Sequence, residues 1–358
     1  MISARRSFVL GALTFPVFAA SATGAKAAAP SLVGRLSDAV VKHAPGLDRL
    51  IAKGTVLEII YEGTGFFEAP LWVPDADGGY LAFTDIAGNR IGRLNADGRA
   101  TAIADPVFDG NDVSGLPIYK FKKRYLVMAG PNGMTMDGQG RFVYCGFAGS
   151  RQILRLEPDG TSTVLASHFD GKRLNTPNDL TYKSDGALYF TDTDMRFAAS
   201  PATPTPVSGE NRVPHAGVYR LANGQVELLS REIERPNGIA FSPDEMILYV
   251  NDTFRRMIWQ FDVKPDGSLA NLRPFFDMST SQGNGPADGL KVDAEGNIFS
   301  TGPGGLWIFS RDGQHLGTVK TAEFLTNVAF GGRDGRTLFL SSPSYLYRLR
   351  TKTSAPKW

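Results

Sequence analysis

The fold is decided by Asn237-Gly-Ile-Ala-Phe-Ser-Pro-Asp244 and Ile247-Leu-Tyr-Val-Asn251, the clearest copy of a phrase that recurs along the chain. The phrase contains a polar residue, two or three apolar residues, a turn with an aspartate, and then an apolar strand. Its leading polar residue occurs six times, as Glu68, Asn132, Asn178, Asn237, Asp288 and Asn327. Copies roughly 40 to 65 residues apart are typical of four-stranded propeller blades. The repeat therefore predicts an all-β fold, a six-bladed β-propeller.

The boundaries of this propeller are predicted at residues 55–352. Thr55 to Tyr61 precedes the first copy and is predicted to pair with Tyr345 to Arg350, which would close the ring. Two domains are the alternative, but no linker-like stretch divides the repeats. Pro201 to Val213, rich in proline and threonine, is predicted to be a long surface loop or lid within a blade.

A helical lead-in is predicted over residues 30–54, ahead of the propeller. From Leu32 to Lys53, the residues Val33, Leu36, Val40 and Val41 recur with a helical period. This pattern indicates an amphipathic helix that packs one face against the propeller.

The first 29 residues have the composition of a secretory signal peptide, basic at first and then apolar with small residues at the end. The pair Arg5-Arg6 fits the twin-arginine type, which engages an export machinery for folded proteins; a chance pair in an ordinary secretory signal is the alternative. A stable membrane anchor is not expected, because the apolar run is short and Pro16 interrupts it. The predicted location is periplasmic or secreted.

Charge and cysteine content exclude several classes of function. The chain has 38 basic and 36 acidic residues, and Arg5, Arg6 and Lys26 of the basic set fall within the predicted signal. A nearly neutral mature chain gives no reason to expect a nucleic-acid partner. Cys145 is the only cysteine, so an intramolecular disulfide is impossible. The four histidines are scattered and are predicted to lie at the surface.

The six repeated polar residues predict a metal site. In a propeller the innermost strand of each blade runs along the central channel, so equivalent residues point to one axis. Two of the six are carboxylates, which raise each other's pKa unless a cation neutralises them. Oxygen ligands suit a hard cation, Ca²⁺ first, with Mg²⁺, Mn²⁺ or Zn²⁺ as alternatives. The competing interpretation is that asparagine or aspartate before glycine merely forms turns.

Several stretches together resemble a known family. They are Gly171-Lys-Arg-Leu-Asn-Thr-Pro-Asn-Asp-Leu180, Arg235-Pro-Asn-Gly-Ile-Ala-Phe-Ser-Pro-Asp-Glu245, Asp288-Gly-Leu-Lys-Val-Asp293 and Asn327-Val-Ala-Phe-Gly331. From about Leu47 to Lys352 the chain resembles the gluconolactonase branch of the senescence-marker-protein (regucalcin) propeller family, in its exported bacterial form.

The resemblance implies a Ca²⁺-type cation held by Glu68, Asn178, Asn237 and Asp288. It assigns Asn132 and Asn327 to substrate or outer contacts. Two departures concern the site: Ala69 follows Glu68 where the family usually has glycine, and Thr176 stands where some animal members use an arginine to hold substrate. Thr176 is accordingly predicted to bind substrate.

The function expected from this resemblance is metal-dependent hydrolysis of a sugar lactone, glucono-1,5-lactone or a related aldonolactone. Asp288 is predicted to be both a metal ligand and the catalytic general base. A phosphotriesterase- or arylesterase-like hydrolase at the same cation site is one alternative. A non-catalytic propeller that binds Ca²⁺ is another.

Overall fold

The computed structural model describes residues 32–110, 116–194 and 211–356, and these ranges consist almost wholly of short antiparallel strands. The larger sheets number six, each of four or five strands. Each repeated polar residue lies in, or within two residues of, the innermost strand of one of these sheets. The structure therefore confirms the six-bladed propeller.

Three strands and one helical turn precede the first blade. They are β1 (Gly34–Leu36), β2 (Val40–Lys42), α1 (Leu47–Leu50) and β3 (Leu57–Glu62). All three strands are used later to complete the last two blades.

Blades 1 to 3 are built in chain order from the axis outward. Blade 1 has β4 (Phe67–Val73), β5 (Tyr80–Asp85), β6 (Arg90–Leu94) and β7 (Ala100–Ala104). A separate hairpin follows, with β8 (Ile118–Phe121) and β9 (Arg124–Val127). Blade 2 has β10 (Met134–Met136), β11 (Phe142–Cys145), α2 (Phe147–Ser150), β12 (Ile153–Leu156) and β13 (Ser162–Ala166). After the small pair β14 (His168–Phe169) and β15 (Lys172–Arg173), blade 3 has β16 (Thr176–Tyr182), β17 (Leu188–Thr193), β18 (Gly217–Ala222) and β19 (Gln225–Ser230).

Blades 4 to 6 continue the same order. Blade 4 has β20 (Pro236–Phe241), β21 (Ile247–Asp252), β22 (Met257–Val263) and β23 (Leu269–Asp277). Blade 5 has β24 (Leu290–Val292), β25 (Ile298–Gly302), β26 (Gly305–Phe309) and β27 (His315–Lys320), with β2 outermost. Blade 6 has β28 (Asn327–Gly331), β29 (Thr337–Ser341) and β30 (Tyr345–Arg350), with β3 and then β1 outside them.

The two ends of the described chain close the ring as predicted. Strand β3 runs antiparallel to β30, so that Glu58 lies opposite Arg348. An ion pair of 2.6 Å joins these two side chains across the junction. Antiparallel pairing of the first strands with the last removes an exposed sheet edge.

The lead-in differs from its prediction, because only the turn Leu47–Leu50 is helical. Val40 and Val41 instead lie in β2, which pairs with β27 of blade 5. Apolar spacing compatible with a helix is here overridden by the pairing offered at the outer edge of a blade.

Two predicted segments lie wholly or mostly outside the described residues. The predicted signal peptide, 1–29, falls outside them, and of the predicted lid 201–213 only the last three residues fall inside. Within the described ranges, no helix has the length and apolar character needed to cross a bilayer.

Neighbouring blades are joined near the axis by one hydrogen bond or more at each of the six boundaries. Side-chain hydroxyls and backbone amides donate, and backbone carbonyls accept. The bonds run from Thr84 to Asn132 (2.8 Å), Gly133 to Asn178 (2.7 Å), Thr191 to Asn237 (2.8 Å), Gly238 to Asp288 (3.0 Å), Gly289 to Thr326 (2.8 Å) and Thr326 to Phe67 (2.7 Å). We call this set the inter-blade ring. Four of its acceptors are carbonyls of the repeated polar residues, so it fixes their backbones.

The glycines that follow three of these residues are needed for this close approach. A Cβ on Gly133 would lie 2.5 Å from the carbonyl oxygen of Asn178, and one on Gly238 would lie 2.3 Å from that of Asp288. A Cβ on Gly289 would lie 2.0 Å from Oδ1 of Asn327. None of the three has the positive φ that turns demand of glycine. The glycine is thus explained by contact between blades, not by turn formation.

We expect Gly133→Ala to lower the free energy of unfolding by about 1–3 kcal/mol, because the added methyl pushes against the blade 3 backbone. Gly138→Ala is the matched control, since a Cβ there meets nothing within 4 Å and should change stability by less than about 0.5 kcal/mol. Urea denaturation of both variants measures the difference. Equal stabilities would contradict the role assigned to Gly133.

One histidine departs from the predicted surface position. The ring of His315, on β27, stacks on Trp307 with centroids 4.2 Å apart and lies 4.4 Å from the ring of His43. Burial, and then the neighbouring His43, lower the pKa of His315 to about 4. In the unfolded chain the imidazole recovers its ordinary pKa near 6.5.

We therefore expect acid to destabilise this junction of β2 and blade 5. The folded pKa lies below the unfolded value, so the unfolded chain binds the proton first, and stability is lost as the pH falls from about 6.5 to about 4. Since His315 is only half buried, we expect a loss of about 1 kcal/mol between pH 7 and pH 5. His315→Phe keeps the stacking and should remove this part of the pH dependence, while His168→Gln, at an exposed histidine, should not. Parallel pH profiles for wild type and His315→Phe would refute this expectation.

Candidate active site at the propeller axis

The inner strands of three blades are irregular where they carry the predicted ligands. Strand pairing is interrupted by a bulge between Glu68 and Leu71, between Pro177 and Leu180, and between Pro236 and Ile239. A bulge re-aims side chains that regular pleating would direct elsewhere, and bulges are common beside active sites. Asn178 and Asn237 thus lie within such irregularities, and Glu68, which still pairs with Thr84, lies at the edge of one.

Ala69, beside Glu68, has a left-handed backbone with φ of +38°. An alanine is strained there, whereas the glycine usual in the resembling family would not be. Its amide donates a 2.5 Å hydrogen bond to Oε2 of Glu68. The strained backbone therefore supports the carboxylate directly.

Two of the six repeated residues are carboxylates, and each acts on the other electrostatically. Burial, and then the negative charge of Asp179, raise the pKa of Glu68 to about 8. Burial, and then the charge of Glu68, raise the pKa of Asp288 well above its ordinary value, while a hydrogen bond from Asn237 opposes the shift. The structure therefore brings Glu68, Asn237 and Asp288 together.

Asp179 is a third buried carboxylate at the axis, and sequence reasoning missed it. Its negative charge raises the pKa values of both Glu68 and Asp288. The signal was its place in the phrase, because Asp179 follows Asn178 where three other copies have glycine. Asn178 directly precedes Asp179 on the same inner strand, and its backbone carbonyl accepts the inter-blade bond from Gly133.

Lys291 brings a positive charge next to these carboxylates. Its Nζ lies 3.8 Å from Oδ2 of Asp179, and its charge also lowers the pKa of Glu68. Lys291 is on β24, where its neighbours Leu290 and Val292 are buried. A lysine between two buried apolar residues of an inner strand is the feature that would have identified it.

Asn327 links the carboxylates from blade 6. Its Nδ2 donates to Oε2 of Glu68 at 2.9 Å and to Oδ2 of Asp179 at 3.4 Å. Its Oδ1 accepts from the amide of Val328 at 2.8 Å. Both ends of the carboxamide are therefore engaged, and Asn327 holds two carboxylates in position.

Two other amide oxygens lack donors. Oδ1 of Asn132 and Oδ1 of Asn237 are buried and accept no hydrogen bond from the described residues. Burying an oxygen without a partner is costly. Such an oxygen beside clustered carboxylates fits a cation ligand or a hydrogen-bonding substrate.

Thr176 lies in β16 at the same end of blade 3, and it is buried. Its hydroxyl donates to the carbonyl of Thr193 on the neighbouring strand. Because this hydroxyl proton is already donated, Thr176 could contact a substrate only through its hydroxyl oxygen, as an acceptor, or through its methyl group.

We call Glu68, Asp179, Asn237, Asp288, Lys291 and Asn327 the axial group. None of these residues is among those that line the main surface cleft. A cleft of about 330 Å³ has Phe121 and Lys122 of the β8–β9 hairpin and Asn284 and Gly304 of blade 5 among its lining residues. None of the six repeated residues lines it. Within residues 32–110, 116–194 and 211–356, no three histidine, cysteine, aspartate or glutamate side chains are grouped so as to hold a metal ion by themselves. A cation at the axis would need the amide oxygens as well.

Comparison with known proteins adds an independent observation. A family model described as SMP-30/Gluconolactonase/LRE-like region matches residues 66–344. The gluconolactonase of Zymomonas mobilis subsp. mobilis is 32% identical over 364 residues, which cover 98% of each chain. Among solved structures, a gluconolactonase of Xanthomonas campestris is 29% identical with a TM-score of 0.74, and the match covers 90% of this chain and 98% of that one.

These similarities confirm the resemblance found in the sequence, and they extend over the whole propeller. The match to the family model includes all six repeated polar residues. The chain belongs to the SMP-30/gluconolactonase/LRE-like family and is a lactonase, an enzyme that hydrolyses lactones.

Proposed function

We propose that this lactonase depends on one divalent cation at the propeller axis and opens glucono-1,5-lactone or a related aldonolactone to the aldonic acid. The observation that carries the proposal is the axial group itself. The carboxylates of Glu68, Asp179 and Asp288 act on one another there, beside two buried amide oxygens that accept no hydrogen bond from the described residues.

The charges of the axial group favour a divalent ion. Its three carboxylates carry three negative charges when ionised, and Lys291 offsets one of them. Two positive charges would neutralise the remainder, and without them burial favours the protonated forms of Glu68 and Asp288. An all-oxygen donor set without cysteine or histidine suits Ca²⁺ better than zinc or copper.

Glu68, Asn178, Asn237 and Asp288 would hold this cation, which when bound supplies Lewis-acid polarisation of the lactone carbonyl. Asn327 would not be a ligand, since both ends of its carboxamide are already hydrogen-bonded. Its contribution is to fix Glu68. Asn132 would bind a substrate hydroxyl, which is supported by its buried Oδ1 that accepts no hydrogen bond from the described residues.

Asp288 is the residue that we assign to proton transfer. Its backbone is fixed on both sides, because its carbonyl accepts from Gly238 and its amide donates to Thr301 Oγ1 at 2.8 Å. The carboxylate would accept a proton from the water that attacks the carbonyl carbon. When the ring C–O bond breaks, that proton passes to the departing ring oxygen, so the product is the open hydroxy acid.

The location proposed for this activity is outside the cytoplasm. Support comes from the basic and apolar pattern of residues 1–29 with its Arg5-Arg6 pair. Lactones formed by oxidation of aldoses in that compartment would be available to the enzyme there.

We expect Asp288→Asn to lower kcat for glucono-1,5-lactone by about 10²–10⁴-fold, because the amide cannot accept the proton. Asp312→Asn, at an exposed hairpin turn, is the control and should retain full activity. Stopped-flow proton release gives the rates, and calorimetric titration with Ca²⁺ reports ion binding separately. An Asp288→Asn variant that binds the ion and turns over normally would disprove the assignment.

Removal of the metal provides the second test. Exhaustive chelation, verified by elemental analysis, should abolish lactone hydrolysis and lower the melting temperature, since a ligand that binds only the folded state stabilises it. Added Ca²⁺ should restore both. Aryl phosphotriesters are assayed in parallel to test the alternative hydrolase activity. Full lactonase activity in metal-free protein would exclude the proposed metal dependence.

A further inference from the structure

The β8–β9 hairpin is an insertion that belongs to neither of the blades it joins. It follows the last strand of blade 1 and precedes the inner strand of blade 2, and its two strands pair only with each other. None of the six copies of the phrase includes it. The established activity gives it no role.

Contacts hold this hairpin against the segments that lead into blades 6 and 1. Phe121 packs edge-on against Phe324, with ring centroids 6.0 Å apart. Lys122 forms an ion pair with Glu323, whose carboxylate is almost fully buried. Arg124 donates to the carbonyl of Thr64. Residues 323–324 lead into blade 6 and Thr64 leads into blade 1, and these two blades are neighbours in the ring, so the hairpin bridges their ends.

These contacts lie at the end of the propeller where the inner strands of blades 6 and 1 begin. The anchoring segments run directly into the inner strands β28 and β4, which begin at Asn327 and next to Glu68. The hairpin is therefore fixed at the end of the channel that carries the axial group, and we call it the strap.

The strap has two distinct faces. Tyr119 lies opposite Leu126, and Phe121 lies opposite Arg124, so these residues share one face of the pair. Phe121 and Leu126 are buried on that face. Lys120 and Tyr125 share the other face, where Tyr125 is 62% exposed.

Tyr119 lies on the inward face but is not sealed in. Its ring meets Phe66 edge to face, with centroids 5.5 Å apart, and the residue remains 39% exposed. Burial, and then the negative charge of Asp288, raise the pKa of Tyr119. Phe66 lies two residues before Glu68, so the Tyr119 ring lies at the end of the channel that carries the axial group, and no described residue accepts the hydrogen bond of its phenol.

We propose that Tyr119 is a substrate-binding residue, whose phenol donates a hydrogen bond to a hydroxyl group of a polyhydroxylated lactone held over Asp288. The inference rests on the proposed sugar-lactonase function and deepens it. The ring is held by Phe66 and the strap is anchored at three points, so the donor is preorganised. A lactone without ring hydroxyls cannot use it, and the strap thereby favours sugar lactones.

The test compares two lactones and two tyrosines. Tyr119→Phe keeps the ring contact with Phe66 and removes only the hydroxyl, while Tyr125→Phe does the same on the outward face. We expect Tyr119→Phe to raise KM for glucono-1,5-lactone about 3- to 10-fold with little change in kcat, the effect of one lost hydrogen bond. δ-Valerolactone, which has the same ring without hydroxyls, should show less than a twofold change, as substrate or as competitive inhibitor. Tyr125→Phe should alter neither.

Each contrary result has a distinct meaning. Equal effects of Tyr119→Phe on both lactones would show a structural role and overturn the inference, as would no effect on either. Both of these leave the lactonase function standing. A wild-type protein that opens no lactone of either kind would instead refute the proposed function, and the inference with it.

Discussion

The site depends on the hydrogen bonds that join successive blades at the axis. Each blade is a sheet with its own internal pairing, and nothing in that pairing fixes one blade relative to the next. The inter-blade ring does so, and four of its acceptors are carbonyls of the residues whose side chains face the channel. The same bonds therefore bring the blades together and set the positions of the polar side chains.

This arrangement explains how the fold tolerates so many buried polar groups. Glu68, Asp179 and Asp288 repel one another when ionised, and burial adds to the cost. The compensating contacts come from other blades, with Asn327 of blade 6 and Lys291 of blade 5 acting on carboxylates of blades 1 and 3. Only a closed ring supplies these contacts, so the electrostatic stability of the channel is a property of the whole propeller.

The sequence predicted the architecture because the phrase recurs six times in register, and period-2 strands separated by turns leave few alternatives. Closure by Thr55 to Tyr61 followed from the same logic and is confirmed. The prediction of a helix over most of the lead-in was wrong, because the spacing of Val40 and Val41 is compatible both with a helix and with a strand at the edge of a blade.

Other parts of the site could not be read from the repeat. Asp179 and Lys291 occupy positions where other copies have different residue types, so a search for equivalent residues passes over them. Tyr119 lies in an insertion, and its position near Asp288 depends on contacts with residues about 200 positions later in the chain. The half-buried position of His315 likewise depends on β2, which comes from the far end of the chain.

The closure of blade 6 has a consequence for biosynthesis. Glu58 and Arg348 are 290 residues apart in the chain, yet their strands are neighbours in one sheet. During translation β3 leaves the ribosome long before its partner β30 exists, and the backbone groups on the edge that β30 covers stay unpaired until residues 345–350 have been made. Loops of this length slow folding, because their entropy is lost before the contact forms. The channel therefore closes only after β30 has left the ribosome, and a nascent chain arrested anywhere before Tyr345 would lack a closed channel and with it the complete active site.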